Sequence, residues 1–180
     1  MQRRIAVLHK EAIKRLEISS IIAIFAFIGY FFGDRITFLD KKMTAEVIKV
    51  YDGDTMTLQN GEDKLRVRFF GIDAPELKQE YGKESREHLL KMCPLGSKAE
   101  LSIKETDKYN RLVAIINCNG YNLNKEQVAK GYAWAYTDYS FAYYTNQFNA
   151  KMKKLGLWEQ DNPIEPKEWR RLQKKIKSEK

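Results

Sequence analysis

The residues of this chain with chemistry to offer fall in three short polar segments. Asp52-Gly53-Asp54-Thr55 sets two carboxylates about a glycine, and hard oxygen donors of this kind suit Ca²⁺ better than a soft metal. Asp and Gly are also ordinary turn residues, so the segment also reads as a plain hairpin turn. In Arg66-Val67-Arg68-Phe69-Phe70-Gly71-Ile72-Asp73-Ala74-Pro75-Glu76 a strand delivers arginines and a following loop presents two acids. Strand alternation puts Arg66 and Arg68 on one face, and Pro75 stiffens the loop by fixing its own φ and restricting Ala74. A solvated strand with a capping acid would have the same composition. Asp107-Lys108-Tyr109-Asn110-Arg111 is a polar turn that offers a further arginine beside an aromatic ring. The planar arginine fork can donate two hydrogen bonds to two oxygens, which makes it a better partner for a phosphate than a lysine.

These segments need strands and turns to hold them. Ala45 to Val50 alternates and runs into Asp52-Gly53-Asp54, Thr55 to Leu58 and Lys64 to Phe70 read as a hairpin about Asn60-Gly61, and Ala99 to Lys104 and Leu112 to Ile116 add two strands. Gly82 to Met92 reads as a helix with Tyr81, Ser85, Leu89 and Met92 on one face, closed by Pro94 and Gly96. Asn124 reads as the cap of a short helix that buries Val128 and Ala129 and stops at Gly131, and Phe141 to Leu155 reads as a last helix. Five strands with a helix after the third and helices after the fifth describe an α+β chain built on a five-stranded OB-fold β-barrel with about three packed helices.

The ends differ from this body. Ile18 to Gly33 is an uncharged, apolar run preceded by Arg3, Arg4, Lys10, Lys14 and Arg15. It is slightly short of the roughly 20 residues that span a bilayer, yet apolar on every face, and it reads as a single transmembrane helix. The basic residues before it predict an inside amino terminus and an extracytoplasmic body; Phe31 and Phe32 before Gly33 make a poor cleavage site, and secretion after signal cleavage is the alternative. The expected organisation is a basic cytoplasmic segment 1–17, a transmembrane anchor or uncleaved signal 18–33, a linker 34–43, an OB-fold body 44–160 and a basic tail 161–180. The net charge of +8 lies entirely outside residues 44–166, which carry 17 basic against 18 acidic side chains. Global charge therefore argues for no polyanionic substrate, and local arginines must. The tail's Trp169, Leu172 and Ile176 stand at helical spacing among seven basic residues, a face for docking on the barrel or a frayed terminus. Two cysteines, Cys93 and Cys118, exclude a zinc cage or a CxxC redox motif; they are either buried thiols or, in an oxidising compartment, a disulfide. Of the two histidines, His9 precedes the apolar run and His88, on a charged helix, reads as solvated rather than catalytic.

In order and separation, Asp-Gly-Asp-Thr, Arg with Asp-x-Pro-Glu, and Asp-Lys-Tyr-x-Arg resemble the staphylococcal-nuclease-like, or thermonuclease, family over about Thr44 to Trp158. The resemblance implies a calcium-dependent endonuclease acting on DNA and RNA with little sequence preference. Asp54, Asp73 and the backbone carbonyl of Ala74 would ligate Ca²⁺, Glu76 would be the general base, and Arg68 and Arg111 would bind the phosphate. Ala74 stands where the best-known member has threonine, a change a backbone ligand tolerates. Tyr109 and Tyr136 are expected to stack on bases of single-stranded or locally opened DNA and RNA, and Trp134 to pack. The second reading is a membrane-tethered OB-fold module that binds nucleic acid without cutting it.

Overall fold

The computed structural model describes residues 41–179. Within that span β1 (Lys41–Val50), β2 (Thr55–Asn60) and β3 (Asp63–Phe69) form an antiparallel meander, and β4 (Ile72–Asp73) follows at once. Strands β5 (Lys98–Thr106) and β6 (Leu112–Cys118) form a hairpin whose β5 lies antiparallel on β1. Parallel pairing of β6 with β3, through Val67 to Leu112, Arg68 to Val113 and Phe69 to Ala114, closes a five-stranded barrel. Closure leaves no open edge for strand addition, and the OB-type α+β architecture expected from the strand pattern is what forms. A short β7 (Tyr121–Asn122) folds back antiparallel on the end of β6, and β8 (Trp134–Ala135) pairs with β4 outside the barrel.

Helix α1 (Gly82–Met92) is inserted between β4 and β5, within the bounds its sequence pattern predicts. After the barrel come α2 (Leu123–Ala129), α3 (Tyr144–Met152), a 3₁₀ turn at Gly156–Glu159 and α4 (Pro166–Ser178). The described residues thus hold four α-helices where about three were expected, because the basic tail folds. The linker expected to run to residue 43 is also shorter, since Lys41, Lys42 and Met43 already pair with Ile103, Ser102 and Leu101. The basic segment 1–17, the anchor 18–33 and linker residues 34–40 lie outside the described residues. Among the described residues no helix is long and apolar enough to cross a membrane.

Val47, Met56, Leu58, Val67, Phe69, Leu101 and Ile116 fill the barrel, each buried side chain contributing roughly 1.5–3 kcal/mol by leaving water. A register shift between Val47 and Lys49 interrupts the expected alternation of β1, so that Val50 rather than Lys49 turns inward. A bulge adds one residue to one strand and bends it, and here it sits just ahead of the Asp52-Gly53-Asp54 turn. A second cluster joins Trp134, Ala150, Leu157 and Trp158, the two indoles meeting edge-on at 4.3 Å, so Trp134 is a packing residue. Cys93 and Cys118 form a disulfide that ties the end of α1 to the end of β6.

Asn124 does not cap α2. Asn122 does, accepting from the Lys125 N–H at 2.9 Å, while Asn124 is buried and accepts from Ile116 N–H and donates to the carbonyls of Phe70 and Ala114. His88 is half-buried rather than solvated: its ring stacks on Tyr132 at 3.9 Å and its Nδ1 lies 2.6 Å from Gln127 Oε1.

Candidate active site

The turn between β1 and β2 is built to bury a carboxylate. The Asp54 N–H donates to Asp52 Oδ1 at 3.0 Å, which tightens the turn. Gly53 is pinned from both helices: Gln127 Nε2 donates to its carbonyl at 2.6 Å, and a Cβ there would stand 1.8 Å from Ser85 Oγ and 2.9 Å from Ala74 Cβ. Glycine is required here by close approach of α1 and the Asp73–Glu76 loop. So held, the Asp54 side chain is fully buried and accepts from Thr55 Oγ1 at 3.0 Å, from the Ala74 N–H and from Arg68. Burial pushes its carboxyl well above the usual carboxylate range, against the opposing pull of Arg68.

Arg68, near the end of β3, bridges the two aspartates: one nitrogen meets Asp54 Oδ1 and the other donates to Asp73 Oδ1 at 2.6 Å. Asp73 is fixed in turn because β4 pairs with β8, placing it opposite Trp134. Beyond it the chain turns through Pro75 to Glu76, whose carbonyl accepts from Gln79 N–H at 2.8 Å while its own N–H donates to Gln79 Oε1 at 3.2 Å. Glu76 is half-exposed, as a group that meets solvent water must be.

A residue with no counterpart in the three motifs completes this acid cluster. Arg170 of α4 donates from Nη1 to Asp73 Oδ1 at 3.1 Å and Glu76 Oε1 at 2.8 Å, and from Nη2 to Asp73 Oδ2 at 2.8 Å. Burial works against its charge, but the bonds to Asp73 and Glu76 outweigh that and hold the guanidinium more firmly protonated than usual.

The β5–β6 loop forms the facing wall. Asp107 Oδ1 accepts from the N–H groups of Tyr109 and Arg111, its Oδ2 accepts from Arg111 Nε at 2.8 Å, and Asn110 takes the left-handed conformation at φ 58°. Slight burial works against the Asp107 charge, yet the backbone and side-chain hydrogen bonds from Arg111 hold its carboxyl below the usual range. Tyr109 is 68% exposed, with Lys108 and Arg111 beside its ring. Arg68, Asp73, Glu76, Tyr109, Arg111 and Tyr136 all line one cleft of about 570 Å³. Arg66, on the same strand face as Arg68, lines it too, beside the Tyr51 ring.

All eight sequence-predicted residues are thereby accounted for. Asp54 lies beneath the cleft and Ala74, buried, is joined to it through its N–H. The pattern missed Arg170 and Lys174, which also face the cleft, because nothing in a basic tail distinguishes one cation from its neighbours. It also missed Tyr139, which stacks with Tyr136 and donates to Glu105; burial, with that hydrogen bond and the Glu105 charge, pushes its hydroxyl up to about 12.

Among the described residues no three His, Cys, Asp or Glu side chains form a ready metal cage. The donors nevertheless fit a hard divalent cation: Asp54 and Asp73 are buried carboxylates that share one guanidinium, and Arg68 and Arg170 already supply positive charge where a cation would.

Comparison with known proteins bears on this site. The family described as "Staphylococcal nuclease homologue" matches residues 66–160. An "Uncharacterized endonuclease" of Haemophilus influenzae is 41% identical over 137 residues, covering 74% of this chain and 76% of that protein. An "Uncharacterized endonuclease" of Escherichia coli is 33% identical over 127 residues, 69% of this chain and 82% of that protein. The "Staphylococcal-like nuclease CAN1" of Arabidopsis thaliana is 39% identical over 123 residues, which are 64% of this chain but 37% of that protein.

Proposed function

Because this chain belongs to the family of staphylococcal nuclease homologues, we propose that it is a calcium-dependent endonuclease that hydrolyses phosphodiester bonds of DNA and RNA with little sequence preference. The observation that carries the reading is the gathering of Asp73, Glu76, Arg68 and Arg111 in one cleft, with Asp54 buried beneath it.

Asp54, Asp73 and the Ala74 carbonyl would hold the cation, which when bound supplies positive charge to the phosphate oxygens and to the attacking water. Glu76 takes the proton of that water at its carboxylate, as a half-exposed group beside the cluster is placed to do. Arg68 and Arg111 donate to the phosphate oxygens, on which negative charge grows during in-line attack, so their bonds strengthen toward the transition state. Tyr109 and Tyr136 border the cleft and stack on unpaired bases, which favours single-stranded or locally opened substrate. The Cys93–Cys118 disulfide supports an oxidising, extracytoplasmic location for the domain, held at the cell membrane by the apolar run Ile18 to Gly33.

The test is cleavage of single-stranded DNA with Ca²⁺ and with EDTA, beside a Glu76→Gln variant. Calcium-dependent cutting that the variant lacks is the expected result. Undiminished cutting in EDTA refutes the metal, an active Glu76→Gln refutes the base, and tight binding without cutting returns the chain to the binding-module reading.

A further inference from the structure

The family match ends at residue 160, yet α4 begins at Pro166 and reaches the acid cluster. Its position is built in rather than incidental. Gln79, whose side chain also accepts from the Glu76 N–H, donates to the Ile164 carbonyl at 2.7 Å. Pro166 is buried at the start of the helix, and Lys167 pairs with Asp138. One turn beyond these contacts Arg170 lays its fork across both oxygens of Asp73 and reaches Glu76. Both oxygens of Asp73 are thus engaged by guanidinium groups, since Arg68 also donates to Oδ1.

We propose that Arg170 is a positioning residue that acts as the internal counter-cation of the site: it holds Asp73 and Glu76 while the cation is absent and competes with the cation for Asp73. The proposal rests on the metal-site reading above. Arg170 already donates to both oxygens of Asp73, so a divalent ion that took either oxygen would crowd and repel the guanidinium and weaken its bonds to Asp73. Displacement frees Arg170 within reach of the phosphate cleft and releases Glu76 from a partner that occupies one of its oxygens. The apparent metal affinity is then the intrinsic affinity reduced by the fraction of molecules in which Arg170 is undocked. With the docked form at about nine-tenths, removing the competitor tightens binding about tenfold.

The experiment measures terbium or Ca²⁺ affinity of the full chain without nucleic acid, by terbium luminescence and by calorimetry, for wild type, Arg170→Gln, Arg170→Lys and Arg171→Ala. Arg170→Gln is expected to bind about tenfold more tightly, Arg170→Lys to fall between, and Arg171→Ala, whose side chain is exposed and pairs with Glu168 alone, to match wild type. Hydrogen exchange in α4 is expected to quicken in wild type when the cation is added and to be fast at the outset in Arg170→Gln. Equal or weaker binding by Arg170→Gln overturns the competition while leaving the nuclease reading in place. Absence of binding by both proteins at millimolar ion overturns the metal site and the competition with it.

Discussion

Arg68→Gln is the sharpest perturbation of the site, because the guanidinium is the shared partner of two carboxylates that water barely reaches. Their side chains are 0% and 4% exposed, and that of Arg68 is 19% exposed. Removing one member of a buried ion pair strands the other and costs about 3–5 kcal/mol. Arg170 remains on Asp73, so the stranded charge is mainly that of Asp54, and the lower figure, about 3 kcal/mol, applies. In a domain of this size that loss lowers Tm by roughly 10 °C. The assay is thermal and urea unfolding followed by circular dichroism in EDTA, repeated with millimolar Ca²⁺. Calcium is expected to recover a large part of the loss, since a cation beside Asp54 and Asp73 replaces the missing charge.

The pH dependence gives a second handle on the same variant. Burial raises the folded-state pKa of Asp54 above its unfolded value near 3.8, so between the two the folded protein binds more protons than the unfolded chain. The penalty from Asp54 is therefore complete above the folded pKa and fades as pH falls toward 3.8. Losing Arg68 raises that pKa further, so the stability gap between wild type and Arg68→Gln should narrow on acidification from the variant's folded-state pKa to the wild type's, both above 3.8. A loss below about 1 kcal/mol, or one indifferent to both calcium and pH, refutes the account of Asp54 as a buried charge held by Arg68.

Gly53→Ala puts a Cβ 1.8 Å from Ser85 Oγ, and overpacking of this kind costs about 1–3 kcal/mol; urea titration should show a lower midpoint at an unchanged m-value. Opening the Cys93–Cys118 bridge, which spans 25 residues, should cost about 3–4 kcal/mol by the loop-entropy relation, read as a fall in Tm with reductant that a Cys93→Ser/Cys118→Ser double variant reproduces and no longer shows on reduction. Arg111→Ala should lower kcat about 10²-fold or more with a small change in Tm, since its partner Asp107 keeps backbone N–H donors; a kcat within a few-fold of wild type removes Arg111 from phosphate binding.

The parts of this molecule that sequence makes legible are those decided by neighbours a few residues apart. Gly82 to Met92 is a helix because Ser85 and Leu89 recur on one face while Pro94 stops the chain, and the turn at Gly61 follows Asn60 as local backbone preference requires. Even there the pattern resolves only so far: Asn122 and Asn124 are both competent caps two residues apart, and what decides between them is that Asn124 finds three backbone partners on β6 and Phe70, a fact of tertiary structure. The bulge in β1 is invisible for the same reason, since Lys49 and Val50 exchange faces only once β2 supplies the register.

Arg170 marks the outer limit of such reading, and its charge explains why it matters. Three carboxylates, Asp54, Asp73 and Glu76, face two guanidinium groups, those of Arg68 and Arg170, and the contacts of Arg170 join residues 94 and 97 positions apart. Each motif taken by itself offers an acid or an arginine that a solvated turn would explain equally well. Their convergence removes that explanation, because burying Asp54 and Asp73 away from water is costly in any state and is offset only by opposite charge placed on the same oxygens. A fold selected for stability alone would fill this volume with apolar side chains, as the barrel interior a few residues away does with Phe69 and Val67. That the chain instead keeps buried acids, recruits a guanidinium from its distant carboxyl end to satisfy them, and leaves a cleft beside them argues that the acids serve chemistry rather than stability.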